Sequence, residues 1–133
     1  MRQGAKGFEM ADDYVIGIGT IGPTEVIDAQ RPIALVGTDR PAIAIPVPGH
    51  TRGSVAYLFD GVLFVGDALE YKQGRLELPA GPFVEDEAAS LRSIAQLPAS
   101  IGTAELRIIC TGHGGCTPPG TGPALLAELV GRL

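Results

Sequence analysis

The chain has 133 residues with a formal net charge of −5, which suits one domain over residues 1–133 and excludes the basic surface that nucleic-acid binding requires. Hydrophobic residues make up 45% and charged residues 19%, which excludes a disordered chain and allows a packed core. No apolar run approaches the roughly 20 residues that span a bilayer, and the N-terminus lacks the apolar centre of a signal peptide, so we expect a cytoplasmic protein that does not contact membranes.

Four apolar stretches in the first half of the chain predict short strands. The run at residues 14–22 is β-branched and broken by glycine, and the runs at 24–27 and 32–37 are two further short strand candidates. The prolines in the run at 41–50 place it at a sheet edge or at the end of a strand. With 19 glycines and 11 prolines, the pattern favours a turn-rich fold with several strands over a helical bundle.

An Asp-Gly pair at residues 60–61 separates two strongly apolar runs and predicts an antiparallel hairpin of residues 54–59 and 62–65. Neither run alternates with polar residues, so we expect both faces of the hairpin to be covered. Residues 68–83 are predicted to form a loop.

The second half of the chain predicts a helix, a strand and a helix. Apolar residues at helical spacing mark residues 84–97, with an acidic start that suits the positive end of the helix dipole. We expect Pro98 to end this helix. A strand at 106–110 and a helix at 120–133 follow, with Pro123 in the first turn of the helix. The fold class predicted is therefore α+β, with a mostly antiparallel sheet and two helices.

Three potential metal ligands, His50, Asp67 and His113, each follow the end of a predicted strand and lie beside glycine. Strand ends can converge on one edge of a sheet, and glycine allows the backbone to turn sharply beside a ligand. Imidazole nitrogen and carboxylate oxygen suit zinc, iron or manganese. The structural alternative is that the histidines lie in turns without metal and that Asp67 accepts backbone hydrogen bonds.

The segments "PGHTRGS", "VLFVGDAL" and "TGHGG" resemble, in order, the last three motifs of the metallo-β-lactamase superfamily. The resemblance covers roughly residues 12–133 and implies an αββα sandwich with one or two metal ions at the sheet edges. It implies that His50 completes the first metal site, that Asp67 bridges both ions and that His113 binds the second. Asp67 would also orient the attacking water, which makes it the expected catalytic residue.

The family's His-x-His-x-Asp-His motif is absent, because the sequence holds two histidines and both are already assigned. Each ion would keep two ligands from this chain, whereas catalytic zinc normally has three from protein. The resemblance therefore implies a half or truncated sandwich. Since a sheet must bury its apolar face, we expect a symmetric homodimer in which a second copy covers the missing half.

Two functions follow from this resemblance. The first is metal-dependent hydrolysis of a small-molecule ester, thioester, lactone or lactam, with further ligands from a partner chain or from residues upstream of Met1. The second is a non-catalytic, truncated family member with weak or empty metal sites that acts as a dimeric or partner-binding module.

Both cysteines are expected to be free thiols, because a disulfide between Cys110 and Cys116 would close a very small loop and nothing indicates an oxidising compartment. Cys110 ends an apolar strand and is expected in the core. Cys116 is either structural or a further ligand at the second metal site.

Overall fold

The computed structural model describes residues 26–133, so the predicted strand at 14–22 and most of the one at 24–27 lie outside the described residues. Within residues 26–133, six strands form one sheet and two helices accompany it. The elements are β1 (Arg31–Ile33), β2 (Ala42–Pro46), β3 (Val55–Phe59), β4 (Val62–Lys72), β5 (Arg75–Glu77), α1 (Glu87–Ile101), β6 (Ile108–His113) and α2 (Gly122–Arg132).

The sheet is mostly antiparallel, as predicted. Strands β1 to β5 lie in chain order, each antiparallel to the next, while β6 pairs with β4 in parallel. Antiparallel neighbours can be joined by short turns, but the parallel pair needs a longer connection, and α1 lies in it. Neither helix of the described residues is long and apolar enough to cross a membrane.

The hairpin predicted at the Asp-Gly pair is present. Asp60 and Gly61 have φ values of 53° and 78°, and both central residues of this two-residue turn type require positive φ. Gln73 and Gly74 have nearly the same values, 53° and 77°, and join β4 to β5 in a second hairpin. The loop predicted at 68–83 is therefore wrong in its first part, because β4 continues to Lys72 and pairs with β5.

Helix α1 begins where its acidic residues predicted but passes the proline expected to end it. The carboxylate of Asp86 accepts a hydrogen bond from the Ala89 backbone N–H at 2.9 Å and caps the helix. Pro98 lies in the last turn, where its missing N–H removes one hydrogen bond but the Gly102 N–H still reaches the Pro98 carbonyl at 3.0 Å. The helix therefore ends at Ile101 and not before Pro98.

The hydrophobic core lies between the helices and one face of the sheet, which we call the helix face. Leu63 and Ile109 are paired across β4 and β6 and are fully buried. They pack in one cluster with Leu97 of α1 and Leu126 of α2. Burial of this apolar surface is the main force that holds the helices on the sheet.

The opposite face of the sheet, which we call the open face, is only partly covered. The pairing places Ala44, Tyr57, Phe64 and Cys110 side by side on it. Tyr57 is 39% exposed and Phe64 46% exposed. The expectation that both faces of the hairpin are covered is therefore wrong, because in residues 26–133 the two helices both join the core on the helix face.

Substitution of two leucines of α1 tests the position of the core. Leu97 is fully buried and Leu91 is 44% exposed, so the same substitution on one helix should have unequal effects. We expect Leu97→Ala to lower the free energy of unfolding by about 3 kcal/mol through lost burial and a cavity. Leu91→Ala should lower it by less than about 1 kcal/mol. Urea denaturation measures both, and equal losses would contradict this assignment of the core.

Candidate metal centre

His50 lies in the turn that joins β2 to β3 and is held against the start of α1. A side chain at Gly49 would collide with the backbone of Ser90, so the turn sits directly on the helix. The carbonyls of Gly49 and His50 accept hydrogen bonds from the backbone N–H groups of Asp86 (2.9 Å) and Glu85 (3.1 Å). Glycine at this position therefore allows the turn that carries His50 to lie against α1.

Asp67 lies within β4, next to an irregularity in its pairing with β6. The register shifts around Gly66, which has φ 56°, a conformation that favours glycine. Gly112, in the neighbouring strand β6, lies so close to the Asp67 carboxylate that a Cβ there would overlap Oδ1. Gly66 thus allows the bend in β4, and Gly112 leaves the space that the carboxylate occupies.

His113 is the last residue of β6. The segment from Cys110 to Cys116, which we call the His113 loop, turns back on itself. The Thr111 backbone N–H donates to the Gly115 carbonyl at 3.1 Å, and the Thr111 hydroxyl donates to the same carbonyl at 2.8 Å. Gly114 passes so close to the Tyr71 carbonyl that no side chain fits there. These contacts present His113 at the same end of β4 as Asp67.

The three predicted ligands lie together around the carboxylate of Asp67. His50 Nε2 is 3.5 Å from Oδ2, and His113 Nδ1 is 3.0 Å from Oδ1. The side chains are 23%, 40% and 76% exposed for His50, Asp67 and His113 respectively, so the centre opens to solvent on the His113 side. Their roles as metal ligands, and that of Asp67 as a catalytic residue, stay predictions.

The ring of His50 makes its polar contact through one nitrogen. Nδ1 is buried and, among the described residues, has no hydrogen-bond partner. Nε2 faces Asp67. Nε2 is therefore the nitrogen that can reach a ligand held by the carboxylate.

The donor set fits a metal centre in type and spacing but not in number. Donors at about 2.0 Å from a tetrahedral zinc ion lie roughly 3.3 Å apart, close to both imidazole–carboxylate distances. Each histidine faces a different oxygen of Asp67, which suits one ion on each side. Within residues 26–133, however, no three His, Cys, Asp or Glu side chains are grouped closely enough to hold one ion. The described residues thus provide part of a centre, with two donors for each ion.

The cysteines correct the prediction of free thiols, since Cys110 and Cys116 form a disulfide. The loop between them folds back so that the two residues face each other in an antiparallel bridge with Cα atoms 4.0 Å apart. Cys110 is partly exposed, on the open face, instead of in the core, and Cys116 is exposed. A thiolate is needed for zinc binding, so the oxidised Cys116 is not an additional ligand.

Thr111 and Gly112 were missed as supporting residues because their roles depend on contacts that the loop makes only when folded. The repeated glycines around His113 were the available signal.

Comparison with known proteins gives relatives in one superfamily. A family model described as the metallo-beta-lactamase superfamily matches residues 6–113. The hydroxyacylglutathione hydrolase of Shewanella denitrificans is 36% identical over 85 residues, which cover 61% of this chain and 31% of that protein. The enzyme of the same name from Shewanella oneidensis is 43% identical over 70 residues, covering 53% of this chain and 24% of that protein. The matched part of the chain thus spans less than a third of these curated relatives.

Two solved structures share the fold at low sequence identity. An archaeal metallo-beta-lactamase superfamily protein from Sulfolobus tokodaii aligns with a TM-score of 0.57 and 20% identity, over 80% of this chain and 38% of that chain. A metallo-beta-lactamase family protein from Thermus thermophilus aligns with a TM-score of 0.54 and 21% identity, over 78% of this chain and 33% of that chain. With a family model that matches most of its residues and the α+β architecture of a truncated sandwich, the chain belongs to the metallo-β-lactamase superfamily.

Proposed function

We propose that this chain contributes part of the metal centre of a hydrolase that cleaves a thioester in a small molecule. The observation that carries the proposal is the position of Asp67, whose two oxygens face two different histidines at 3.5 Å and 3.0 Å. The relatives named hydroxyacylglutathione hydrolases support the substrate class, because an acyl group on the sulfur of glutathione is a thioester. Esters, lactones and lactams are the other substrate classes to be tested.

The proposed ligands form two pairs, one for each ion. His50 and Oδ2 of Asp67 would hold one ion, and His113 and Oδ1 would hold the other. Zinc, iron or manganese held there would lower the pKa of a bound water molecule to near neutrality and so supply a nucleophile. Asp67 would orient that water, and a substrate would approach from the exposed side of His113.

Further ligands must come from outside the described residues, since two donors for each ion fall short of the usual three. A partner chain, or residues outside this sequence, would supply them. The small share of each relative that the chain covers supports this division of the centre.

Metal content tests the centre directly. We expect protein purified without chelators to carry zinc, iron or manganese above background by elemental analysis, and below full occupancy because the described residues supply two donors for each ion. His50→Ala and His113→Ala should each lose bound metal, and Asp67→Asn should lose the most, because its carboxylate serves both ions. Asp39→Asn is the matched control, an exposed aspartate away from the centre that should keep the metal. Metal retained equally in all four variants, or absent from the parent protein, would contradict the proposal.

Substitution of Gly112 tests whether metal binding needs the space that the Asp67 carboxylate occupies, without removing a proposed ligand. Alanine at this position would push the Asp67 carboxylate away, so we expect Gly112→Ala to lower metal content at least severalfold. Gly53→Ala is the matched control, because nothing lies within 4 Å of a Cβ there. Elemental analysis is combined with the midpoint of thermal unfolding, to separate a displaced carboxylate from a misfolded chain. Normal metal content in folded Gly112→Ala would count against the proposed position of Asp67.

The open face favours a second candidate function, that of a non-catalytic, dimeric or partner-binding module. Its centre is apolar, with Tyr57 and Phe64 exposed. Charged residues lie at its edge, where Arg40 pairs with Asp60 at 3.1 Å and stands 5.3 Å from the ring centre of Phe59. An apolar centre with a polar rim is typical of protein interfaces.

The occupant proposed for the open face is a second copy of this chain. A twofold contact sets a patch against itself, so Tyr57 and Phe64 would pack against their counterparts without need for a different partner. A second copy is one of the two sources proposed above for the further donors of the incomplete centre. The homodimer therefore serves the hydrolase as well as the non-catalytic module.

Sedimentation velocity tests the homodimer. We expect the parent protein to sediment as a dimer at micromolar concentration and Phe64→Ser to sediment as a monomer, because a hydroxyl group replaces apolar contact area. Phe83→Ser is the matched control, since Phe83 is 81% exposed and lies outside the sheet. A monomeric parent that binds no hydrophobic dye would remove the basis for the interface.

A further inference from the structure

The disulfide encloses one of the proposed metal ligands. Cys110 and Cys116 are six positions apart, and His113 lies midway between them. Cys110 belongs to β6 and is paired with Phe64 of β4, the strand that also carries Asp67. The bond therefore ties the far end of the His113 loop to the strand pair that holds the carboxylate.

Besides the disulfide, the loop is held mainly by backbone contacts: His113 pairs with Glu70 of β4, and the Thr111 hydroxyl lies 2.5 Å from the His113 carbonyl. Three of its residues are Gly112, Gly114 and Gly115, and glycine has more backbone freedom than any other residue. His113 itself is 76% exposed, so packing does little to fix its ring. Inside the loop, the backbone N–H and hydroxyl of Thr111 provide hydrogen bonds to the Gly115 carbonyl.

The base of the loop is secured independently of the disulfide. The Thr117 N–H donates to the Ile109 carbonyl at 2.8 Å, and the Ile109 N–H donates to the Thr117 hydroxyl at 3.0 Å. Thr117 is buried. Loss of the disulfide should therefore loosen the loop above this base and leave the fold intact.

We infer that Cys110–Cys116 is a reversible disulfide that exchanges with low-molecular-weight thiols and sets the position of His113 against Asp67. The exposed side of the bond is Cys116. A thiolate attacks its Sγ, forms a mixed disulfide and releases the Cys110 thiolate, which takes up a proton. A second thiolate attacks the outer sulfur of the mixed disulfide and releases Cys116 as a thiol. Two thiols thus give two electrons and two protons, and leave as one small-molecule disulfide.

The consequence for metal binding rests on the proposed function, whereas the effect on the loop does not. With the bond closed, His113 is held 3.0 Å from Asp67 and is ready to share an ion with it. With the bond open, the glycine-rich loop gains conformational freedom. The entropy that is lost when the loop is ordered again lowers its affinity for metal. Hydrolysis of a thioester releases a thiol, so the proposed reaction produces the class of molecule that opens this bond.

Alkylation and hydrogen exchange test the inference on the full chain without metal. The probe is reduced glutathione, added to protein purified without reductant. We expect no alkylation before the thiol is added and two alkyl adducts per chain, by mass spectrometry, afterwards. Amide exchange in residues 111–115 should be about tenfold faster in the reduced protein and in Cys110→Ser/Cys116→Ser, while the turn at Gln73 and Gly74 stays unchanged as an internal control.

Zinc affinity, measured by competition with a chelator, forms the second arm. We expect affinity to fall about tenfold on reduction, the low end of the effect of residues that support a metal ligand. The serine double variant should match the reduced protein and should not respond to thiol. If the variant does not fold, the oxidised and reduced forms of the parent still give the comparison.

Three results would overturn the inference. The first is equal loop exchange in the oxidised and reduced forms. The second is a failure of the disulfide to form even with oxidised glutathione. The third is tighter zinc binding on reduction that the serine double variant loses, because the thiolates would then be ligands themselves. If neither redox state binds zinc, the proposed function fails, and the exchange measurement alone decides the inference about the loop.

Discussion

The carboxylate of Asp67 between two imidazoles is the interaction on which the rest of the centre depends. It is partly exposed, and each of its oxygens faces a histidine from a different part of the chain. One histidine is fixed by the contact of its turn with α1, the other by a loop at the end of β6. Both supports require glycine where the backbone approaches another group, at Gly49 and Gly112. The geometry of the candidate site therefore depends on backbone packing as much as on the three side chains.

The two faces of the sheet have different roles. The helix face carries the core, including Leu63 and Ile109, and so supplies the stability of the described residues. The open face leaves Tyr57 and Phe64 exposed, although their strand neighbours are fully buried. A sandwich needs cover on both faces of each sheet, which is why a truncated member of the superfamily with this exposed surface suits association with a second copy.

One loop, between Cys110 and Cys116, carries both the disulfide and one of the candidate ligands. His113 is the most exposed of the three candidate ligands, and its position depends on a segment rich in glycine. A covalent link across that segment constrains a candidate ligand whose side chain is mostly exposed. The family relationship accounts for the three motifs, whereas the Cys110–Cys116 bond is a feature that the motifs do not predict.

The sequence by itself determined the features that rest on local chemistry: the Asp60-Gly61 turn, the capped start of α1, the α+β class and the motifs that bring His50 and His113 to Asp67. Only the tertiary structure decided three further features. These are the continuation of β4 beyond Asp67, the continuation of α1 through Pro98 to Ile101 and the position of the core on one face of the sheet. The disulfide belongs to the second group, because Cys110 and Cys116 meet only after the loop has turned back. Local propensities are carried by neighbouring residues, but pairing, burial and cross-links depend on segments that are distant in the chain and meet only in the folded protein.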